Sequence, residues 1–142
     1  MRKVSHILED KGARVITVPQ EAPVLEVIRL MAEHHIGSVL VMRGPEIIGI
    51  ATERDYARKV ILQGRSSADT PVSVIMSSPV VCVSPGDTVP ACMAIMTERK
   101  LRHLPVVDDG QLIGMVSIGD LVRSVIEDQQ MEIHQLQQYI TS

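Results

Sequence analysis

Apolar residues along this chain fall in short runs separated by Pro, Gly and charged residues, and the order of the runs occurs twice. The first round opens with "RVITV" and the second with "PVVCV". Each is followed by turn residues, "PQEAP" or "SPGDT", and each predicts a short strand. Val24, Val27, Ile28 and Met31 then recur at i, i+3, i+4 and i+7, as do Val89, Cys92, Met93 and Met96. That spacing places one apolar face on a helix. Asp87 and Thr88 are N-cap candidates for the second of these helices. Two more apolar runs around a Gly- or Pro-containing turn predict paired strands: "SVLVM" and "IIGIA" about "RGPE", then "HLPVV" and "LIGMV" about "DDGQ". Final helices begin in "RDYARKVILQ" and "GDLVRSVIED". Each round therefore reads β-α-β-β-α.

A shift of 65 residues lays Val15–Ile61 on Val80–Ile126 without a gap, and 12 of the 47 aligned positions are identical. Chance would supply about three from average residue usage, so the chain contains an internal duplication. Two copies are too few for a solenoid and predict a closed pseudo-twofold pair of α/β (α+β) class. The polar stretch "GRSSADTPVS" reads as the linker. The expected divisions are residues 8–64, 73–127 and a helical tail, 128–142. On that tail Ile126, Ile133, Leu136 and Ile140 form a stripe in an otherwise polar sequence, which needs a partner surface.

The phrase "GIATERD", Gly49–Asp55, returns as "GMVSIGD", Gly114–Asp120. In both a hydroxyl residue precedes an aspartate by three positions across a strand-to-helix junction: Thr52 with Asp55, and Ser117 with Asp120. One reading is purely structural, a helix capping box. The other is a nucleotide contact. A hydroxyl can bond ribose or phosphate, an aspartate accepts from both ribose hydroxyls, and helix-start amides attract phosphate.

Composition narrows the choice. The chain has no Trp, no Phe and two Tyr, so its core is aliphatic and it lacks the aromatic platforms of single-strand binders. A formal net charge of -3 argues against a nucleic-acid partner. No apolar run is long enough for a membrane span, no signal-peptide core is present, and a cytoplasmic setting is expected. Cys82 and Cys92 lack zinc-site spacing and are expected as small buried residues. No P-loop, metal-ligand cluster or nucleophile–base pair argues for an enzyme.

The β-α-β-β-α plan, with "LRHLPVVDDGQLIGMVSIGD" and "GIATERD", resembles a tandem pair of CBS domains (a Bateman module) over roughly residues 8 to 127. The whole looks like a small stand-alone bacterial CBS-pair protein. The first copy departs from the family pattern where Leu40 stands in place of the proline that the second copy has at Pro105. The resemblance implies two pseudo-symmetric clefts between the copies for adenosyl ligands: AMP, ADP, ATP, NAD or S-adenosylmethionine, with no metal. It assigns ribose and phosphate contacts to Thr52 and Asp55 in one site and to Ser117 and Asp120 in the other. Gly37, Ser38, Arg102 and His103 would approach phosphates, and Ile16, Val81, Ile50 and Met115 would flank adenine. Arg54 stands where the second copy has Gly119, and a site with Thr52, Arg54, Arg102 and His103 is expected to be the more cationic of the two. A homodimer, a flat disc of four domains acting on a client protein, is the implied assembly. A structural dimerisation module with vestigial clefts is the alternative.

Overall fold

A computed structural model of the chain describes residues 2–12 and 14–141. In chain order the elements are α1 (Val4–Lys11), β1 (Thr17–Pro19), α2 (Val24–His34), β2 (Ser38–Arg43), β3 (Glu46–Thr52), α3 (Glu53–Tyr56), α4 (Val89–Arg99), β4 (His103–Asp108), β5 (Gln111–Ser117) and α5 (Ile118–Thr141). A single π turn, Ala57–Ile61, continues α3, and a short 3-10 turn covers Val72–Val74. The chain divides into two compact units. One is Val15–Val80; the other combines Met1–Arg14 with Val81–Ser142. Each unit thus holds one repeat together with the segment that precedes the other repeat.

The duplication extends to backbone detail. β2 and β3 pair antiparallel from Ser38↔Thr52 to Arg43↔Glu46, and β4 and β5 from His103↔Ser117 to Asp108↔Gln111. Both ladders carry an irregularity at the same place, between Val41 and Met42 and between Val106 and Val107. α2 and α4 end on left-handed residues, His35 at φ 54° and Lys100 at φ 56°, whose amides bond back to Met31 and Met96. The cores repeat likewise. Val18, Val24, Val27, Met31, Val39, Val41 and Ala51 are buried in one unit; Val83, Val89, Cys92, Met96, Leu104, Val106 and Val116 are buried in the other. Thr88 is the N-cap of α4, its hydroxyl accepting from the Ala91 amide at 3.2 Å, while Asp87 accepts from the Ser84 amide at 2.8 Å.

One expected strand is missing. β1 runs parallel to β2, and the Leu40 amide donates to the Ile16 carbonyl at 3.2 Å. In the second repeat the residue at the Leu40 position is Pro105, which has no N–H to give. The run Pro79–Val83 is reduced to a single parallel bridge, Val83 to Val106, held by Val83 N–H to Pro105 O at 2.9 Å and Val107 N–H to Val83 O at 2.8 Å. The extended backbone there buries Val83 and leaves Cys82 exposed, which corrects the expectation that both cysteines are buried. Cys92 is in the core, and its thiol is pushed up to about 11, by burial first and then by the Asp87 charge.

α1 is an element the repeat pattern does not contain. It buries Val4, Ile7 and Leu8, an i, i+3, i+4 set, in the unit of the second repeat. Leu8 lies so close to β5 that a Cβ on Gly114 would sit 2.7 Å from its methyl. Met76 blocks the same space over Gly49 in the other unit. The tail stripe stays uncovered: Ile126, Ile133, Leu136 and Ile140 are all exposed on α5.

Close approach at both glycines sets an expected outcome. Gly114→Val and Gly49→Val each overpack a well-filled seat and should lower unfolding stability by about 1–3 kcal/mol in urea titrations. Gly86→Ala, with nothing within 4 Å of the added Cβ, should stay near wild type.

Candidate functional site

Each unit carries one copy of the hydroxyl–aspartate junction, and both are built the same way. Thr52 ends β3 in extended conformation and caps α3. The Asp55 amide donates to Thr52 Oγ1 at 3.2 Å, and Asp55 Oδ2 accepts from the Thr52 amide at 3.0 Å and from its hydroxyl at 3.1 Å. At the other junction the Asp120 amide donates to Ser117 Oγ at 3.1 Å, and Asp120 Oδ2 accepts from the Ser117 amide at 2.8 Å. The capping reading is therefore realised in both copies. It occupies one oxygen of each carboxylate and fixes the rotamer that aims the other.

A second tie holds each junction in place. The amide after the hydroxyl residue bonds to the carbonyl of the residue just before the preceding strand. Glu53 donates to Gly37 O at 3.3 Å, and Ile118 to Arg102 O at 2.8 Å. One unit thus gathers Gly37, Ser38, Thr52 and Asp55, with Arg54 exposed on α3; the other gathers Arg102, His103, Ser117 and Asp120. Ile50 is half-buried in β3 and bridges Ser77, while Met115 is half-buried in β5. Ile16 and Val81, also half-buried, precede β1 and the Val83 bridge.

Two lysines complete the geometry, and neither was among the expected site residues. Lys59 Nζ lies 3.3 Å from Asp55 Oδ1 and donates to Ile75 O at 3.0 Å. Its position one turn beyond Asp55 was readable as an i, i+4 pair. Lys11 Nζ lies 2.8 Å from Asp120 Oδ2 and donates to Met115 O at 2.9 Å. It comes from α1, 109 residues away, with no local signal. Arg123 adds a longer contact of 3.4 Å to Asp120 Oδ1. The two aspartate side chains are only 12% and 10% exposed. Burial raises the pKa of Asp120. The hydrogen bond from Lys11, the Ser117 contacts and the Lys11 charge outweigh it and hold the carboxyl below its ordinary range. Among the described residues, no group of three His, Cys, Asp or Glu side chains is placed to hold a metal ion. No helix among them is long and apolar enough to cross a membrane.

Comparison with known proteins agrees with this architecture. The family model for the CBS domain matches residues 4–61 and 72–127. The chain is 37% identical over 146 residues to the mitochondrial CBS domain-containing protein CBSX3 of Arabidopsis thaliana, covering 96% of this chain and 71% of that protein. Among solved structures, a protein with CBS domains from Burkholderia ambifaria is 53% identical with a TM-score of 0.86, over 90% of this chain and 96% of that one. A CBS domain protein from Pyrobaculum aerophilum, solved in complex with AMP, is 26% identical with a TM-score of 0.74, over 84% and 89% of the two chains. The chain belongs to the CBS-domain family and carries two CBS domains in tandem. Such pairs are regulatory modules.

The Asp120 pair has a pH signature. Its carboxyl is harder to protonate in the folded chain than in the unfolded one. The pair therefore stabilises the fold above the ordinary aspartate value of 3.8, and that contribution is lost as pH falls through the lowered folded value. In Lys11→Met the Asp120 midpoint, followed by carboxyl carbon NMR, should move upward, and this acid-labile part of the stability should shrink.

Proposed function

We propose that the chain is a non-enzymatic, cytoplasmic regulatory module that binds an adenosyl nucleotide, AMP foremost, and passes its presence to a client protein as a homodimer. The single observation that carries this reading is the twice-built junction, where a cap consumes one carboxylate oxygen and presents the other at fixed orientation. An aspartate is an acceptor-only group suited to the two hydroxyls of a ribose. Ser and Thr hydroxyls beside it suit ribose or phosphate. Aliphatic side chains, Ile16 and Ile50 in one repeat and Val81 and Met115 in the other, suit a purine in a chain without Trp or Phe. The Pyrobaculum relative in complex with AMP supports the ligand class.

Calorimetry should show AMP, ADP, ATP or NAD binding and no comparable binding of inosine or guanosine forms. Asp55→Ala and Asp120→Ala should each cost on the order of 1.5–3 kcal/mol in its own site, the worth of a hydrogen bond to a charged acceptor. Arg54 stands in the repeated phrase where the second copy has Gly119 and is available to a longer phosphate chain, so Asp55→Ala should weaken ATP more than Asp120→Ala does. If no adenosyl compound binds or raises the melting temperature at millimolar concentration, the nucleotide reading fails. A structural dimerisation module then remains, a reading favoured by the lysines already paired with both carboxylates.

The homodimer reading rests on α5. Ile126, Ile133 and Ile140 recur every seven residues, and Val122 and Leu136 fall on the adjoining positions of the same seam, all exposed. Isoleucine and leucine in that arrangement suit a second copy of the same helix. A chain ending at Asp128 should keep the melting temperature of its folded units in the monomer, since residues 129–141 are exposed. It should self-associate more weakly in sedimentation equilibrium, each lost Ile or Leu contributing about 1.5–3 kcal/mol if fully buried.

A further inference from the structure

We propose that Lys11 is an internal competitor at the second repeat, so that a neutral nucleoside reaches Asp120 only when the lysine head withdraws. The inference rests on the nucleotide reading above and adds a specificity-determining residue to it. Lys11 Nζ contacts two atoms at once, Asp120 Oδ2 at 2.8 Å and the Met115 carbonyl at 2.9 Å. These belong to the residues that would receive the ribose and flank the base. A diol that spans both carboxylate oxygens has to displace the ammonium from one of them, and being neutral it cannot replace the lost charge pairing.

The two repeats differ here by an exchange of residues. Sixty-five positions after Lys11 stands Met76, which packs over Gly49 and has no charge. The main chain at Ile50, the counterpart of Met115, is instead closed by Ser77, with amide-to-carbonyl bonds of 2.9 and 3.1 Å. Conversely, the counterpart of Lys59 is Ser124. Lys59 pairs with the Asp55 oxygen that the cap does not use, and it is anchored on Ile75 O. Lys11 shares the capping oxygen of Asp120 and is anchored on the edge of β5.

The lysine also has somewhere to go. The Ser124 hydroxyl is buried, with 3% of the residue exposed, and has no hydrogen-bond partner among the described residues. It lines a cleft of about 50 Å³ together with Lys11, Asp120, Asp10 and Glu127, and with the cations Arg2 and Arg123. That space exceeds the roughly 30 Å³ share of one water, enough for an ammonium head. The serine hydroxyl can accept from it there, while Asp10 and Glu127, paired with Arg2 at 3.5 and 2.9 Å, offset the neighbouring guanidinium charge.

The test isolates the second half-site with Asp55→Ala and measures adenosine by calorimetry, with and without Lys11→Met. Removing the competitor should tighten adenosine binding about two- to fivefold, the scale of a partly exposed ion pair. Raising ionic strength screens the pair. Adenosine binding should therefore tighten with salt when Lys11 is present and stay flat in Lys11→Met. Lys11→Gln should follow Lys11→Met, which guards against a packing effect of one side chain. Unchanged affinity overturns the proposal. Weaker adenosine binding overturns it too, since Lys11 would then be a ligand contact. If AMP binds the wild-type chain while these variants show no effect, the competitor alone is wrong. If no adenosyl compound binds any variant, the nucleotide reading falls with it.

Discussion

The reciprocal bond between a hydroxyl residue and the aspartate three positions on is the interaction on which the rest of the functional end depends. It turns a strand directly into a helix, satisfies amides at the helix start, and locks a carboxylate that is nearly buried. Losing such a cap costs about 0.5–2 kcal/mol, so the residues that would recognise a ligand are also residues the fold needs. The bond from Glu53 or Ile118 to the carbonyl before the preceding strand then brings Ser38 or His103 beside the junction. Stability and the proposed recognition share one construction, so a capping motif and a nucleotide contact can be written in the same residues.

A buried carboxylate without a cation is expensive, and each repeat meets that demand differently. In the first the cation is local, Lys59 on the next turn. In the second it arrives from α1, and the helical position is left to Ser124. Charge balance is therefore conserved across the duplication while the direction of the cation is not. The backbone symmetry of the two junctions is much closer than their chemical symmetry.

What could be read from the sequence followed from local physics. Helical spacing marked the buried faces of α2 and α4. The paired runs marked both hairpins, and the shared phrase located both caps because their partners lie three residues apart. What escaped reading depends on distant partners. Pro105 was visible as a difference between the copies, but the strand it removes lies more than twenty residues upstream, where the loss of one donor is felt. Cys82 looked apolar by its neighbours, yet alternation along an extended segment put it outside. The stripe Val4, Ile7, Leu8 is short and has no counterpart in the repeat pattern, and Lys11 meets Asp120 across almost the whole chain.

The division of the chain into Val15–Val80 and a unit made from both flanks has a bearing on synthesis. The middle unit is contiguous, so its internal contacts can form as soon as its last residue leaves the ribosome. α1 emerges earlier but must wait, its apolar face uncovered, until β5 has been made. At about 5–20 residues per second that wait lasts several seconds or more. α1 is thus made before the middle unit yet docks after it, by closing a long loop onto β5.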